Sequence, residues 1–162
     1  MKVSFTLNGR RVEVDVEPNE VLLDVLRLKL GVKSVRRGCE RAECGACTVL
    51  LDGEPVYSCT ILAPMVEGRT VETVDYLAST GELKPLVEAF VKVGAIQCGF
   101  CTPGFLLTAY ALLKRNPQPT VEEVKKAIEG NICRCTGYQK IIEAILLASK
   151  LYAEKRSKGK EE

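Results

Sequence analysis

The chain contains no histidine. Without an imidazole there is no Ser-His-Asp or Cys-His catalysis, no mixed cysteine–histidine zinc site, no Rieske centre and no C-x-x-C-H haem attachment. It also lacks G-x-G-x-x-G and G-x4-G-K-S/T, so nucleotide binding by this chain has no motif behind it. An excess of either charge is missing too: 23 Lys plus Arg stand against 21 Asp plus Glu, a net charge of +2. No basic stripe is interleaved with aromatics, which argues against nucleic acid as a partner. No apolar run approaches the roughly 20 residues of a membrane span. The opening MKVSFTLNGR has no apolar stretch of signal-peptide length, so a cytoplasmic location is expected. Asn and Gln are scarce beside Lys and Glu, a weak hint of a thermophilic source.

What the chain does have is eight cysteines in 162 residues. A reducing cytosol argues against disulfides and for metal or redox work. Their spacing sorts them into two quartets. Cys39, Cys44, Cys47 and Cys59 read C-x4-C-x2-C-x11-C, the plant-type ferredoxin spacing for a 2Fe-2S cluster. Gly38, Gly45 and Ala46 keep that loop free of bulk, so backbone N–H groups can reach the sulfurs. A zinc site would more often take its ligands from two separate C-x2–4-C knuckles, so this spacing favours a cluster. Cys98, Cys101, Cys133 and Cys135 read C-x2-C-x31-C-x-C, which on spacing alone leaves zinc open. Both of its pairs are expected just before helix N-termini, where the macrodipole favours thiolate and an anionic ligand.

The first part of the chain reads as β with one helix. Lys2–Leu7 and Arg10–Val16 alternate around an Asn8-Gly9 turn. Val21–Leu30 has helical apolar spacing and stops at Gly31. Thr48–Leu51 and Glu54–Ser58 form a second hairpin, and Thr70–Thr73 one more strand. The second part reads as four helices. A Ser79/Glu82 capping box precedes Leu83–Val93, and Thr102 caps Gly104–Arg115. Thr120/Glu123 caps Val121–Glu129, and Thr136/Gln139 caps a last helix to about Tyr152. The expected organisation is α+β: residues 1–76 a β-grasp, ferredoxin-like 2Fe-2S domain, 77–153 a four-helix 2Fe-2S-binding bundle, and 154–162 a charged, frayed tail.

Three segments together resemble the iron–sulfur subunit of the molybdenum hydroxylases. They are Cys39-Glu-Arg-Ala-Glu-Cys44-Gly-Ala-Cys47-Thr-Val, Gln97-Cys-Gly-Phe-Cys-Thr-Pro-Gly104 and Cys133-Arg-Cys-Thr-Gly-Tyr138. That family includes small subunits of carbon monoxide and aldehyde dehydrogenases, and the resemblance extends to the N-terminal part of xanthine oxidase. It covers about residues 2–152. It implies an electron-transfer role with two 2Fe-2S clusters held by the eight cysteines. It implies a large molybdopterin subunit and a medium FAD subunit as partners, in a heterotrimer that is often doubled. Electrons would pass from molybdenum through the helical-domain cluster and the ferredoxin-like cluster to FAD. By the same resemblance Gln97 would hydrogen-bond the pterin and Cys135 would lie beside it. No catalytic residue and no turnover are expected of the chain by itself. Two positions depart from the family pattern: Ala42 stands where Gly is frequent and Phe105 where Met is frequent. Arg36 and Arg37 read as an exposed basic pair or as a contact to the FAD subunit. The rival readings are a free-standing two-cluster carrier, a zinc-binding module and a redox sensor.

Overall fold

In a computed structural model of the chain, residues 1–159 are described. Alternation along β1 (Lys2–Leu7) puts Val3, Phe5 and Leu7 on one face, and all three are buried. The Asn8-Gly9 turn, both residues with positive φ, returns the chain as β2 (Arg10–Asp15), antiparallel to β1. The second hairpin is β3 (Thr48–Leu51) and β4 (Glu54–Tyr57), and β5 (Thr70–Glu72) lies between β1 and β3. The sheet order is β2-β1-β5-β3-β4, with β1 and β5 parallel and the other neighbours antiparallel. Every residue of the inner strand β3 is buried, because both faces are covered. Val49 and Leu51 face the core under the sheet, while Leu50 belongs to the core of the helical half.

The helix expected over 21–30 is short and wide. A single turn, α1 (Leu22–Asp24), continues as a π-helical stretch over Val25–Lys29, and the Leu30 N–H reaches back to the Val25 carbonyl at 3.0 Å. Leu22, Leu23, Val25 and Leu26 are all buried, and Leu28 is left outside. Four buried residues in five positions exceed one stripe of a regular α-helix, and the wider turn accommodates them.

The helical half holds α2 (Val74–Ser79), α3 (Lys84–Val93), α4 (Thr102–Arg115), α5 (Val121–Ile128) and α6 (Gln139–Lys158). Four of these are the helices the sequence predicts; α2 occupies the stretch expected to be the domain boundary. Helix α4 is central, with every residue from Gly104 to Leu113 buried, and it packs on α5, α3 and β3. Only one of the expected caps forms. Thr120 and Glu123 make a reciprocal capping box at the start of α5, with bonds of 2.7 and 3.3 Å. Ser79 instead ends α2 and donates to the Tyr76 carbonyl, and Leu83 precedes α3. Cys101, not Thr102, is the residue before α4. Helix α6 begins only after Tyr138: the Thr136 hydroxyl donates to the Cys133 sulfur at 3.1 Å and accepts the Tyr138 N–H at 3.2 Å, while the Gln139 N–H goes to the Gly137 carbonyl. At its other end α6 runs past the expected stop near Tyr152 to Lys158, so residues 154–158 are helical. The last part of the expected tail, 160–162, lies outside the described residues.

Candidate metal centres

The loop leading into β3 carries the first three cysteines. Glu40, Ala42 and Gly45 all have positive φ, and the resulting coil turns amides inward. The Cys39 sulfur accepts from the N–H groups of Arg41 (3.5 Å), Glu43 (3.3 Å) and Cys44 (3.4 Å). The Cys44 sulfur accepts from the Cys39 N–H at 3.4 Å. A Cβ on Gly38 would stand 2.7 Å from the Cys44 sulfur, so only glycine leaves that room. Cys47 enters β3, and Cys59 follows β4. They face each other across the hairpin, with the Ser58 N–H bonded to the Cys47 carbonyl at 3.3 Å. The Tyr57 hydroxyl donates to the Gly130 carbonyl, and its pKa is raised by burial first and then by the charges of Cys47, Cys44, Cys39 and Cys59.

The second quartet is assembled from two loops. Cys98 lies before α4 and Cys101 is the residue before its first turn, while Cys133 and Cys135 lie in the α5–α6 connection. The structure brings them together as Cys98 with Cys135 and Cys101 with Cys133. The Cys133 sulfur accepts from the Thr136 N–H (3.4 Å) and hydroxyl (3.1 Å). Only the α4 pair stands at a helix start; the other pair relies on local donors of a turn, with Tyr138 at φ 71°.

These donors set the proton affinities. The Cys39 thiol is brought down to about 7, chiefly by the Arg41 N–H. Burial pushes Cys47 up to about 12, and burial together with Cys133 pushes Cys101 up to about 12. The Phe100 N–H lowers Cys98. At Cys133 burial is the largest single influence and acts upward, but the Thr136 hydroxyl and amide outweigh it and the net shift is down.

The chemistry of this donor set fits a two-iron cluster. Each quartet is purely thiol, with backbone amides aimed at sulfur, as an anionic cluster requires. The sulfurs stand two and two: Cys39 with Cys44, Cys47 with Cys59, Cys98 with Cys135, Cys101 with Cys133.

The two quartets share one opening. A cavity of about 270 Å³ is lined by Cys39 and Cys44 on one side and by Cys98, Cys101, Cys133 and Cys135 on the other. Phe100 projects into it, and the Arg36 guanidinium lies 5.5 Å from the centre of the Phe100 ring. Arg37 is tied to Asp24 and, at 3.1 Å, to Glu40. The basic pair is therefore half-buried and bound within the chain, not a solvated patch. Gln97, Cys98 and Cys135 are exposed together, with Ile96, Phe100 and Ile132 as an apolar surround. Sequence reasoning missed Asn131. It looks like an ordinary residue after a helix-stopping Gly130, yet it is buried and bonded to Gly45 of the first loop.

Known proteins carry the same pattern. Residues 5–78 match the 2Fe-2S iron-sulfur cluster binding domain family, and residues 73–146 match the 2Fe-2S binding domain family. The nicotinate dehydrogenase small FeS subunit of Eubacterium barkeri is 47% identical over 146 residues, covering 90% of this chain and 93% of that one. The nicotine 6-hydroxylase small subunit of Paenarthrobacter nicotinovorans is 51% identical over 146 residues, covering 90% and 88%. Among solved structures, quinoline 2-oxidoreductase from Pseudomonas putida 86 superposes with a TM-score of 0.89 at 42% identity, covering 95% of this chain and 96% of that one. With two cysteine quartets on an α+β frame and these relatives matched nearly end to end, the chain belongs to the 2Fe-2S small subunits of the molybdenum hydroxylases and serves electron transfer in an oxidoreductase complex.

Proposed function

We propose that Cys39, Cys44, Cys47 and Cys59 hold one 2Fe-2S cluster and that Cys98, Cys101, Cys133 and Cys135 hold the other. The observation that carries this reading is the shared cavity, lined by Cys39 and Cys44 of one quartet and by all four cysteines of the other. When bound, each cluster supplies a site for one electron at a time. The chain's own part is to hold the thiolates in pairs, aim amides at them and place the two sites across one short gap. The division into a ferredoxin-like unit over 1–76 and a helical unit over 77–153 follows the same two sites.

The exposed patch around Gln97, Cys98 and Cys135 is the entry side, facing a large molybdopterin subunit. Gln97 hydrogen-bonds the pterin there and Cys135 lies beside it. The loop around Arg41 and Glu43 is the exit side toward FAD in a medium subunit. The working unit is a heterotrimer, doubled in its full assembly, in the cytoplasm. Among the described residues no helix is long and apolar enough to cross a membrane. Two relatives and the quinoline enzyme are named for nitrogen heteroaromatic compounds, so that class is the first to offer the complex.

The test is a metal assay and paramagnetic resonance on the purified complex. The expected result is brown protein with about four irons per chain, two for each cluster, and two distinct signals after reduction. Zinc in place of iron, with no visible absorption, overturns the reading.

A further inference from the structure

Asn131 belongs to neither cysteine quartet, yet its side chain lies on the seam between them. Its Nδ2 donates to the Gly45 carbonyl at 3.2 Å, across 86 residues of sequence. Its Oδ1 accepts the Thr108 hydroxyl of α4 at 2.9 Å. The next residue, Ile132, donates its N–H to the Cys44 carbonyl at 2.9 Å, and the one after is Cys133. Two residues of the first loop, Cys44 and Gly45, are thus bonded to the two residues that precede Cys133 of the second site.

The backbones can meet here because side chains are missing. A Cβ on Gly45 would collide with the Asn131 amide and stand 2.5 Å from the Gly130 carbonyl oxygen. A Cβ on Gly104 would collide with the Gly45 carbonyl, and one on Gly130 with the Tyr57 hydroxyl. Tyr57 completes the seam by donating to the Gly130 carbonyl at 3.0 Å. An apolar residue at 131 could fill the space but could not fix the register, whereas a buried amide bonded through both its nitrogen and its oxygen does both. A neutral amide also adds no charge between two sets of thiolates.

We propose that Asn131 is a positioning residue for electron passage between the two centres: its amide sets the separation of the Cys44 and Cys133 loops. The inference rests on both quartets being cluster sites. Electron tunnelling falls exponentially with distance, so a small loosening of this seam, which the Asn131 side chain holds together with the Ile132 N–H and the Tyr57 hydroxyl, would be felt in the rate.

The experiment uses the assembled complex with Asn131→Leu, close in size but without polar atoms, and Thr108→Val, which releases only the Oδ1 side. Three quantities are read: iron per chain, the magnetic splitting between the two reduced centres, and the rate at which the second centre follows the first in rapid reduction. The dipolar part of that splitting falls with the cube of the separation, and a merely stabilising role would not move it. For Asn131→Leu the expected result is unchanged iron, a smaller splitting and inter-centre passage slowed several-fold. Thr108→Val should change both in the same direction by less. Wild-type splitting and rate with both centres intact overturn the proposal. If Asn131→Leu does not assemble, Thr108→Val decides: a reduced splitting supports the proposal and an unchanged one overturns it. Absence of iron from the wild-type complex would instead sink the cluster assignment, and the metal assay alone reveals that.

Discussion

Ala42 sits in the first cysteine loop with φ 59°, a left-handed backbone that costs a residue with a Cβ about 1–2 kcal/mol. The loop of this chain holds Ala42 in the conformation that glycine favours. Ala42→Gly should therefore stabilise the protein by about 1 kcal/mol, less the extra freedom glycine gives the unfolded chain; denaturant melts of the two proteins measure it. Glu72 makes a second argument at this scale. Burial, then repulsion from Glu82, holds its carboxyl above the ordinary value of 4.5. A raised carboxyl pKa means that the folded state binds a proton more tightly than the unfolded one. Stability from this group is present below the unfolded value and is lost as pH rises through the folded value. Glu72→Gln should accordingly raise the melting temperature at pH 7 and leave it nearly unchanged at pH 4. The gain should be below about 1 kcal/mol because the group is partly solvated.

At the scale of elements, local chemistry was legible where nothing remote competed. The capping box of Thr120 and Glu123 forms because both partners sit within one exposed turn and no cysteine or core contact claims them. Thr120→Ala should cost about 1 kcal/mol and speed amide exchange in the first turn of α5. The same motif at Thr136 fails because its hydroxyl oxygen accepts the Tyr138 N–H, two residues on, and the Gln139 N–H goes to the Gly137 carbonyl. At Ser79 it fails because Ser79 ends α2, with its hydroxyl turned back to the Tyr76 carbonyl. The helix over 21–30 was legible as helix from its apolar spacing, but its π-helical turn was not. That turn depends on how much apolar surface the β-sheet offers to Leu22, Leu23, Val25 and Leu26, which no local pattern encodes.

At the scale of the molecule, order matters more than any single bond. If electrons enter at the helical-half site and leave by the ferredoxin-like one, Cys44→Ser should leave the helical-half centre reducible by substrate and stop reduction of whatever acceptor follows the ferredoxin-like site. Cys135→Ser should abolish entry altogether. Rapid-reduction spectra of the complexes separate the two outcomes, and a block at the helical-half centre in Cys44→Ser would reverse the assigned direction.

Spacing and alternation are local properties. By itself the sequence therefore determined two cysteine quartets, two hairpins, the four longer helices of the second half and the family to which they point. Arg36 and Arg37 looked solvated because a sequence cannot show Phe100, Asp24 and Glu40 arriving beside them. Asn131 looked idle for the same reason. Only the tertiary structure decided which sulfurs pair, that the two sites open on one cavity, and how closely their loops approach. Those distances join residues far apart in the chain, and they exist only once β3 is packed against α4 and the glycines at 45, 104 and 130 let the backbones meet.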